Sequence, residues 1–258
     1  MGGLKSIKPT CLVCFNNISP LNFCQLCDTM IKKVVSSSGA GLKGVHVFSD
    51  DSRGFVNVSQ AVPDVLTDIR YYSSFNFVGR RIDGYRAPLA LLTREAAQAL
   101  KQASLKALSL GLRLKIFDAY RPQAAVDHFV RWASDPADTL MKPFFYPDME
   151  KKEIIPGGYI LEHSGHTRGS TVDLTLFDMK SQQDLDMGGP FDFFGTLSHP
   201  DSTLVTPAQH KNRMLLQSLM TGCGFSFLKE EWWHFTLENE PDPDTYFEFP
   251  VSAAYLKR

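Results

Sequence analysis

Ser164-Gly-His-Thr-Arg-Gly-Ser-Thr-Val-Asp173 runs directly into Leu174-Thr-Leu176. Val172, Leu174 and Leu176 alternate with Asp173 and Thr175. This period of two predicts a half-buried strand that aims Asp173 and Thr175 at one face. Gly169 permits a tight turn between His166 and Asp173, so both side chains can approach one point. Much further along, Glu231-Trp-Trp-His234 supplies a second histidine and a second carboxylate. The sequence is therefore read as a sheet that carries a polar site, with the rest of the chain as scaffold or substrate contacts.

Working outward, Phe55 to Val58 is strand-like, and Val65 to Tyr72 reads as extended. Phe75 to Tyr85, with Gly79 and Gly84, reads as a loop or hairpin over the core. A helix is predicted between Thr93, a good N-cap, and Gly111, because Ala96, Ala97, Leu100, Ala103, Ala107 and Leu108 recur at helical spacing. Leu112, Leu114 and Ile116 alternate with Arg113 and Lys115, so a strand follows and runs into Asp118. Pro122 suits the start of a second helix, with Ala125, Val126, Phe129, Val130 and Ala133 on its apolar face. Asp135 to Pro147 and Asp184 to Pro207 read as irregular. Thr206-Pro207 opens a third helix that stops at Gly222. Phe225 and Phe227 lead into a last strand through Trp232 to Leu237, and the tail with Pro241, Pro243 and Pro250 reads as irregular. The fold class expected is α+β: an antiparallel sheet with helices packed on it, a zinc site at the sheet, and a small Cys-rich N-terminal appendage.

The chain has 258 residues, 43% hydrophobic and 21% charged, which suits one sizeable core. A formal charge of -1 gives no electrostatic case for nucleic acid or an anionic membrane, and no apolar run is long enough to span a bilayer. The division expected is residues 1–44, a Cys-rich segment with a Ser36–Gly41 linker, and residues 45–258, the domain that carries the site. Cys11, Cys14, Cys24 and Cys27 form two Cys-x-x-Cys knuckles. These suit a second, structural zinc. In an oxidising compartment the same four would form two disulfides, and idle thiols are the bland alternative. Lys5 and Lys8 precede an apolar stretch broken by Asn16, Asn17 and Pro20, so no secretion signal is read.

Zinc needs nitrogen or oxygen ligands converging at about 2 Å with a position left open. His166, Asp173 and His234 can supply three. Each alone would be an ordinary hydrogen-bonded polar residue; together they point to a metal that activates water and polarises a carbonyl. Glu231 can serve as general base only if it lies before the strand or at a bend, because Glu231 and His234 fall on opposite faces of a regular strand. Arg121, in Asp118-Ala-Tyr-Arg-Pro122, sits where a strand gives way to a helix. It can stabilise a developing oxyanion, or simply pair with Asp118. His163 is not read as a ligand despite its closeness to His166. His46, His128, His199 and His210 read as surface or capping residues, and Trp232 and Trp233 as packing.

At these residues the chain resembles the zinc D-alanyl-D-alanine dipeptidases of the vancomycin-resistance type, peptidase family M15. The resemblance rests on Asp-Ala-Tyr-Arg-Pro at 118–122, the stretch from Ser164 to Leu176, Met187-Gly with Phe191-Asp192, and Glu-Trp-Trp-His-Phe at 231–235. Asn76-Phe77 before Gly79 and Tyr246-Phe-Glu-Phe-Pro250 also fit, so it covers roughly residues 54–251. It implies a zinc metallopeptidase with His166, Asp173 and His234 as ligands, Glu231 as base and acid, and Arg121 as transition-state stabiliser. Ser164, Asp192 and Tyr71 would bind the substrate, Asp192 holding its ammonium. The partner implied is a small dipeptide, hydrolysed to free D-alanine in removal or recycling of a cell-wall precursor. A carboxypeptidase acting on peptidoglycan stems and a zinc-stabilised non-catalytic binding module are the rival readings. The N-terminal cysteines are not required by the family pattern. Relatives occur in cytoplasm and periplasm; the cytoplasm is favoured here.

Overall fold

Three neighbouring strands decide where the site falls. In the computed structural model, which describes residues 47–257, these are Leu112–Asp118, Thr171–Asp178 and Glu231–Leu237, neighbours in one sheet. In chain order the strands are β1 (Val47–Ser49), β2 (Phe55–Asn57), β3 (Leu66–Thr67), β4 (Leu91–Thr93), β5 (Leu112–Asp118), β6 (Thr171–Asp178), β7 (Gln183–Asp184), β8 (Phe225–Leu228), β9 (Glu231–Leu237) and β10 (Thr245–Phe247). The long helices are α1 (Arg94–Ser109), α2 (Gln123–Ala133) and α3 (Pro207–Thr221). β5, β6, β9 and β8 pair antiparallel, whereas β3 joins β5 in parallel. β2 pairs with β4, and β1 with β10, in two small separate sheets. The α+β class expected from the sequence is what the structure has. The knuckle cysteines, the Ser36–Gly41 linker and His46 lie outside the described residues.

α1 forms where the sequence predicts it. The Thr93 hydroxyl accepts from the Ala96 amide, Glu95 stands in the first turn, and Ala96, Ala97, Leu100, Ala103 and Ala107 are buried. Small side chains on that face let the helix lie close to β5. α3 begins with a capping box, Thr206 and Gln209 satisfying each other's backbone amides, and Pro207 at its first turn. α1 and α3 touch each other, α1 packs on β5, and α3 on β8 and β9. Leu114, Ile116, Val172, Leu174, Leu176 and Phe235, all at most 1% exposed, make the apolar face of the central strands. Burying each such side chain contributes about 1.5–3 kcal/mol.

Several expectations are corrected. Val65 to Tyr72 is not one extended run: β3 is two residues long and Arg70–Tyr72 is a 3-10 turn, which the Ser73 amide closes by donating to the Arg70 carbonyl. β6 is buried on both faces over Thr171–Leu176, not half-buried: on the polar face Thr171, Asp173 and Thr175 are each at most 2% exposed. The last strand is a hairpin, β8 and β9, turning at Lys229 and Glu230. The tail is not wholly irregular: β10 pairs in parallel with β1. Lys142–Phe145 and Lys151–Ile154 form short helical turns within the segment expected to be loop or just after it. Among the described residues, no helix is long and apolar enough to cross a membrane.

Candidate active site and metal centre

The antiparallel register sets Asp118 opposite Asp173 and Asp173 opposite His234. A row of three polar side chains thus crosses three strands. Regular alternation would have left Asp118 on the apolar face with Leu112, Leu114 and Ile116. A bulge between Ile116 and Asp118 shifts the register by one residue and turns Asp118 to the face of Asp173.

His166 arrives from the 3-10 turn Gly165–Arg168 that precedes β6. The Ser164 hydroxyl caps this turn by accepting from the His166 amide, 3.3 Å away. Gly169 ends it with φ +81°, and a Cβ there would lie 2.3 Å from two ring carbons of Phe55. Only glycine satisfies both the left-handed backbone and the contact. The turn therefore brings His166 back over Asp173, as its sequence spacing suggests.

Three donor atoms converge. His166 Nε2 lies 3.2 Å from Asp173 Oδ1, His234 Nδ1 lies 3.1 Å from the same oxygen, and the two ring nitrogens are 3.3 Å apart. Tetrahedral ligands about 2 Å from one ion would sit roughly 3.3 Å from each other, so the spacing fits zinc. The protonation pattern fits too. His166 Nδ1 is 2.7 Å from the Ala119 carbonyl, an acceptor only, so that nitrogen carries the proton. His166 Nε2 then points at a carboxylate oxygen, Asp173 Oδ1, that is buried and has no hydrogen-bond partner. Lone pairs converging in a buried place call for a cation. His166, Asp173 and His234 form a donor set that could hold a metal ion, and its two nitrogens and one oxygen suit zinc.

Glu231 belongs to the group. Its Oε2 is 3.4 Å from His234 Nδ1. The strand-face objection raised from the sequence is met by a break in pairing: the register shifts between Phe227 and Leu228, so Leu228 pairs with Glu231 outside the regular alternation. Burial opposes a charge on His234, but the carboxylates of Asp173 and Glu231 outweigh it and push the imidazole up to about 9. Asp173 is held well below the usual carboxylate range: burial acts against this, and His166 and His234 overcome it.

Arg121 makes the ion pair with Asp118 that was weighed as the structural alternative. Its Nε and Nη2 each lie 2.9 Å from Asp118 Oδ2, and Nη2 lies 3.5 Å from Asp173 Oδ2. The guanidinium also stacks over the rings of Tyr71 and Phe129. The other Asp118 oxygen accepts from Tyr85 Oη at 2.5 Å. Asp118 thus fixes a cation that leans over the metal ligands.

Asp192 has φ +64° and is buried. The Tyr71 hydroxyl donates to its carboxylate at 3.0 and 3.2 Å. Burial, and the nearby Asp173, push Asp192 well above the usual carboxylate range. The three donor residues, together with Glu231, Arg121, Asp192 and Tyr71, line one cavity of about 670 Å³, with Ser164 and the aromatic walls Phe77, Phe193 and Trp233. His199, read from the sequence as a surface or capping residue, also lines it, and His163 does so without joining the metal group. Trp232 and Trp233 are buried, as expected, though Trp233 faces the cavity as well. Nothing in the sequence near His199 or Phe193 gave a periodic or spacing signal for this.

A buried two-histidine, one-carboxylate centre with an adjoining glutamate defines a metallopeptidase. A family profile described as D-ala-D-ala dipeptidase, Peptidase M15, matches residues 51–252. The D-alanyl-D-alanine dipeptidase of Enterococcus faecalis (strain ATCC 700802 / V583) is 41% identical over 199 residues, 77% of this chain and 98% of the relative. That of Streptomyces coelicolor is 41% identical over 198 residues, with the same shares. That of Escherichia coli (strain K12) is 36% identical over 188 residues, 72% of this chain and 86% of the relative. The chain belongs to the M15 D-Ala-D-Ala dipeptidase family of metallopeptidases.

Proposed function

We propose that the protein hydrolyses D-alanyl-D-alanine and similar D,D-dipeptides to free D-alanine, with one zinc held by His166, Asp173 and His234. The observation that carries this reading is the 3.1–3.3 Å convergence of the three donor atoms in the cavity that Glu231, Arg121 and Asp192 also line. The bound zinc would supply Lewis acidity, activating water and polarising the scissile carbonyl. Glu231 would take the proton from the attacking water and deliver it to the leaving amine. Arg121, fixed by Asp118, would balance the negative charge that develops on the carbonyl oxygen. Asp192 and Tyr71 would receive the substrate's ammonium, and Ser164 would contact the other end.

A buried carboxyl group placed to meet a free ammonium favours a dipeptide over the end of a longer chain, where that amine is an amide. The cell-wall role would be removal or recycling of precursor dipeptide. Residues 45–258 form the catalytic domain in this reading. The knuckles of Cys11, Cys14, Cys24 and Cys27 would add a second, structural zinc, which metal counting on the full chain tests: two zinc ions per chain for, one against. Substrate class is tested by comparing D-Ala-D-Ala with a stem pentapeptide ending in the same two residues. The dipeptide should be turned over far faster; equal turnover would make the protein a carboxypeptidase instead.

A further inference from the structure

Among the described residues, the buried cation that ties two distant parts of the cavity loop together forms no close ion pair. Arg213 on α3 is 1% exposed. Its Nε donates to the Met187 carbonyl at 2.6 Å, and its Nη1 to the His199 carbonyl at 2.7 Å. The guanidinium lies 5.9 Å from the Trp232 ring centre, beside Glu231 in the chain. Its hydrogen bonds go to carbonyls, its Nη2 has no partner, and although the Asp186 carboxylate favours the charge, burial wins and pulls the pKa down to about 10. The cost is offset only if the arrangement achieves something.

What it holds is a loop. Met187 and His199 are the two ends of the segment that presents Asp192, Phe193, Thr196 and His199 to the cavity. α3 grips the first end further. Gln209 donates to the Asp186 carboxylate, Asn212 donates to the Asp186 carbonyl, and a Cβ on Gly188 would lie 2.6 Å from Val205 and 2.8 Å from Gln209 Oε1. Between the anchored ends Asp192 keeps a left-handed backbone that a non-glycine residue adopts only when its surroundings enforce it. A single side chain that closes a thirteen-residue loop removes much of the freedom that would let this backbone relax.

We infer that Arg213 is a positioning residue for substrate binding: by tying Met187 to His199 it holds the cavity face of the loop, Asp192 included, in its binding geometry. The inference rests on the reading of Asp192 as the ammonium site. Arg213 touches neither the metal ligands nor Glu231, so its loss should weaken binding and spare chemistry.

The test is steady-state kinetics of the zinc-loaded full chain on D-Ala-D-Ala, with zinc content measured in parallel. Arg213→Met should raise KM about tenfold while kcat stays within roughly threefold, at unchanged zinc. Arg213→Lys, which reaches one carbonyl and not both, should raise KM by an intermediate factor and keeps the test open if Arg213→Met folds poorly. A merely structural arginine would lower the active fraction, and with it kcat, at constant KM; that pattern in the Lys variant overturns the proposal. Asp192→Asn is measured alongside and should also raise KM. An unchanged KM in Asp192→Asn strikes the ammonium reading, whereas the clamp is judged on the Arg213 variants.

Discussion

Asp173 Oδ1 and His234 Nδ1 face each other across β6 and β9 at 3.1 Å, in directly paired positions of the sheet. Strand pairing, not a flexible loop, sets two of the three converging donors. The third, His166, hangs from a turn ended by Gly169, where an added Cβ would strike Phe55. This is how the chain keeps the three donors together before an ion arrives.

Zinc loading should release a proton at neutral pH. His234 sits at about 9 in the metal-free site, above its ordinary value near 6.5, so below about 9 it holds a proton that zinc must displace. The sign follows: the charged imidazole stabilises the metal-free fold fully below pH ~6.5 and loses that contribution as pH rises through about 9. Zinc affinity should therefore rise with pH over the same interval. Calorimetric titration at pH 7.5 in two buffers of different ionisation enthalpy should report about one proton released per zinc. Heats that do not depend on the buffer would show that His234 is already neutral.

Glu231→Gln keeps size and removes the base. Zinc content should hold, since Glu231 is not among the three converging donors. The value of kcat should fall by about 10²–10⁴. Full activity with zinc retained would remove Glu231 from the proton path.

Arg121→Lys keeps a charge but loses the fork that meets Asp118 through both Nε and Nη2. The cation would no longer be fixed over Asp173. The expected loss is about 10²–10³ in kcat, with a smaller effect on KM. A change confined to KM would instead make Arg121 a ground-state contact.

Gly169→Ala tests the turn. The left-handed backbone costs roughly 1–2 kcal/mol for a non-glycine residue, and the clash with Phe55 adds about 1–3 kcal/mol of overpacking. A lower melting temperature and weaker zinc binding should appear together, because the same turn carries His166. An unchanged melting temperature would show that Phe55 moves aside without cost.

Much of the site was legible because zinc chemistry restricts residue types and because β6 announces its period. Val172, Leu174 and Leu176 alternate with Asp173 and Thr175, so the strand and the direction of Asp173 follow from side-chain geometry alone. The helices were legible from caps and small-residue spacing, as at Thr93 and Thr206. Two features were not. The bulge that turns Asp118 toward Asp173 and the register break that frees Glu231 are interruptions of a period, and a period cannot announce its own interruption. Tyr71 was named as a contact, but its placement on a 3-10 turn was hidden by an apolar run that mimics a strand. Arg213 gave no signal at all, since its partners are backbone carbonyls of a distant loop.

The most direct measurement is release of D-alanine from D-Ala-D-Ala by the chelated and the zinc-restored protein, beside L-Ala-L-Ala. Hydrolysis of the D,D-dipeptide should vanish on chelation and return with about one zinc per catalytic domain, with little turnover of the L,L-dipeptide. Hydrolysis that survives complete removal of metal, or equal turnover of the L,L-dipeptide, would contradict a zinc D,D-dipeptidase built on His166, Asp173 and His234.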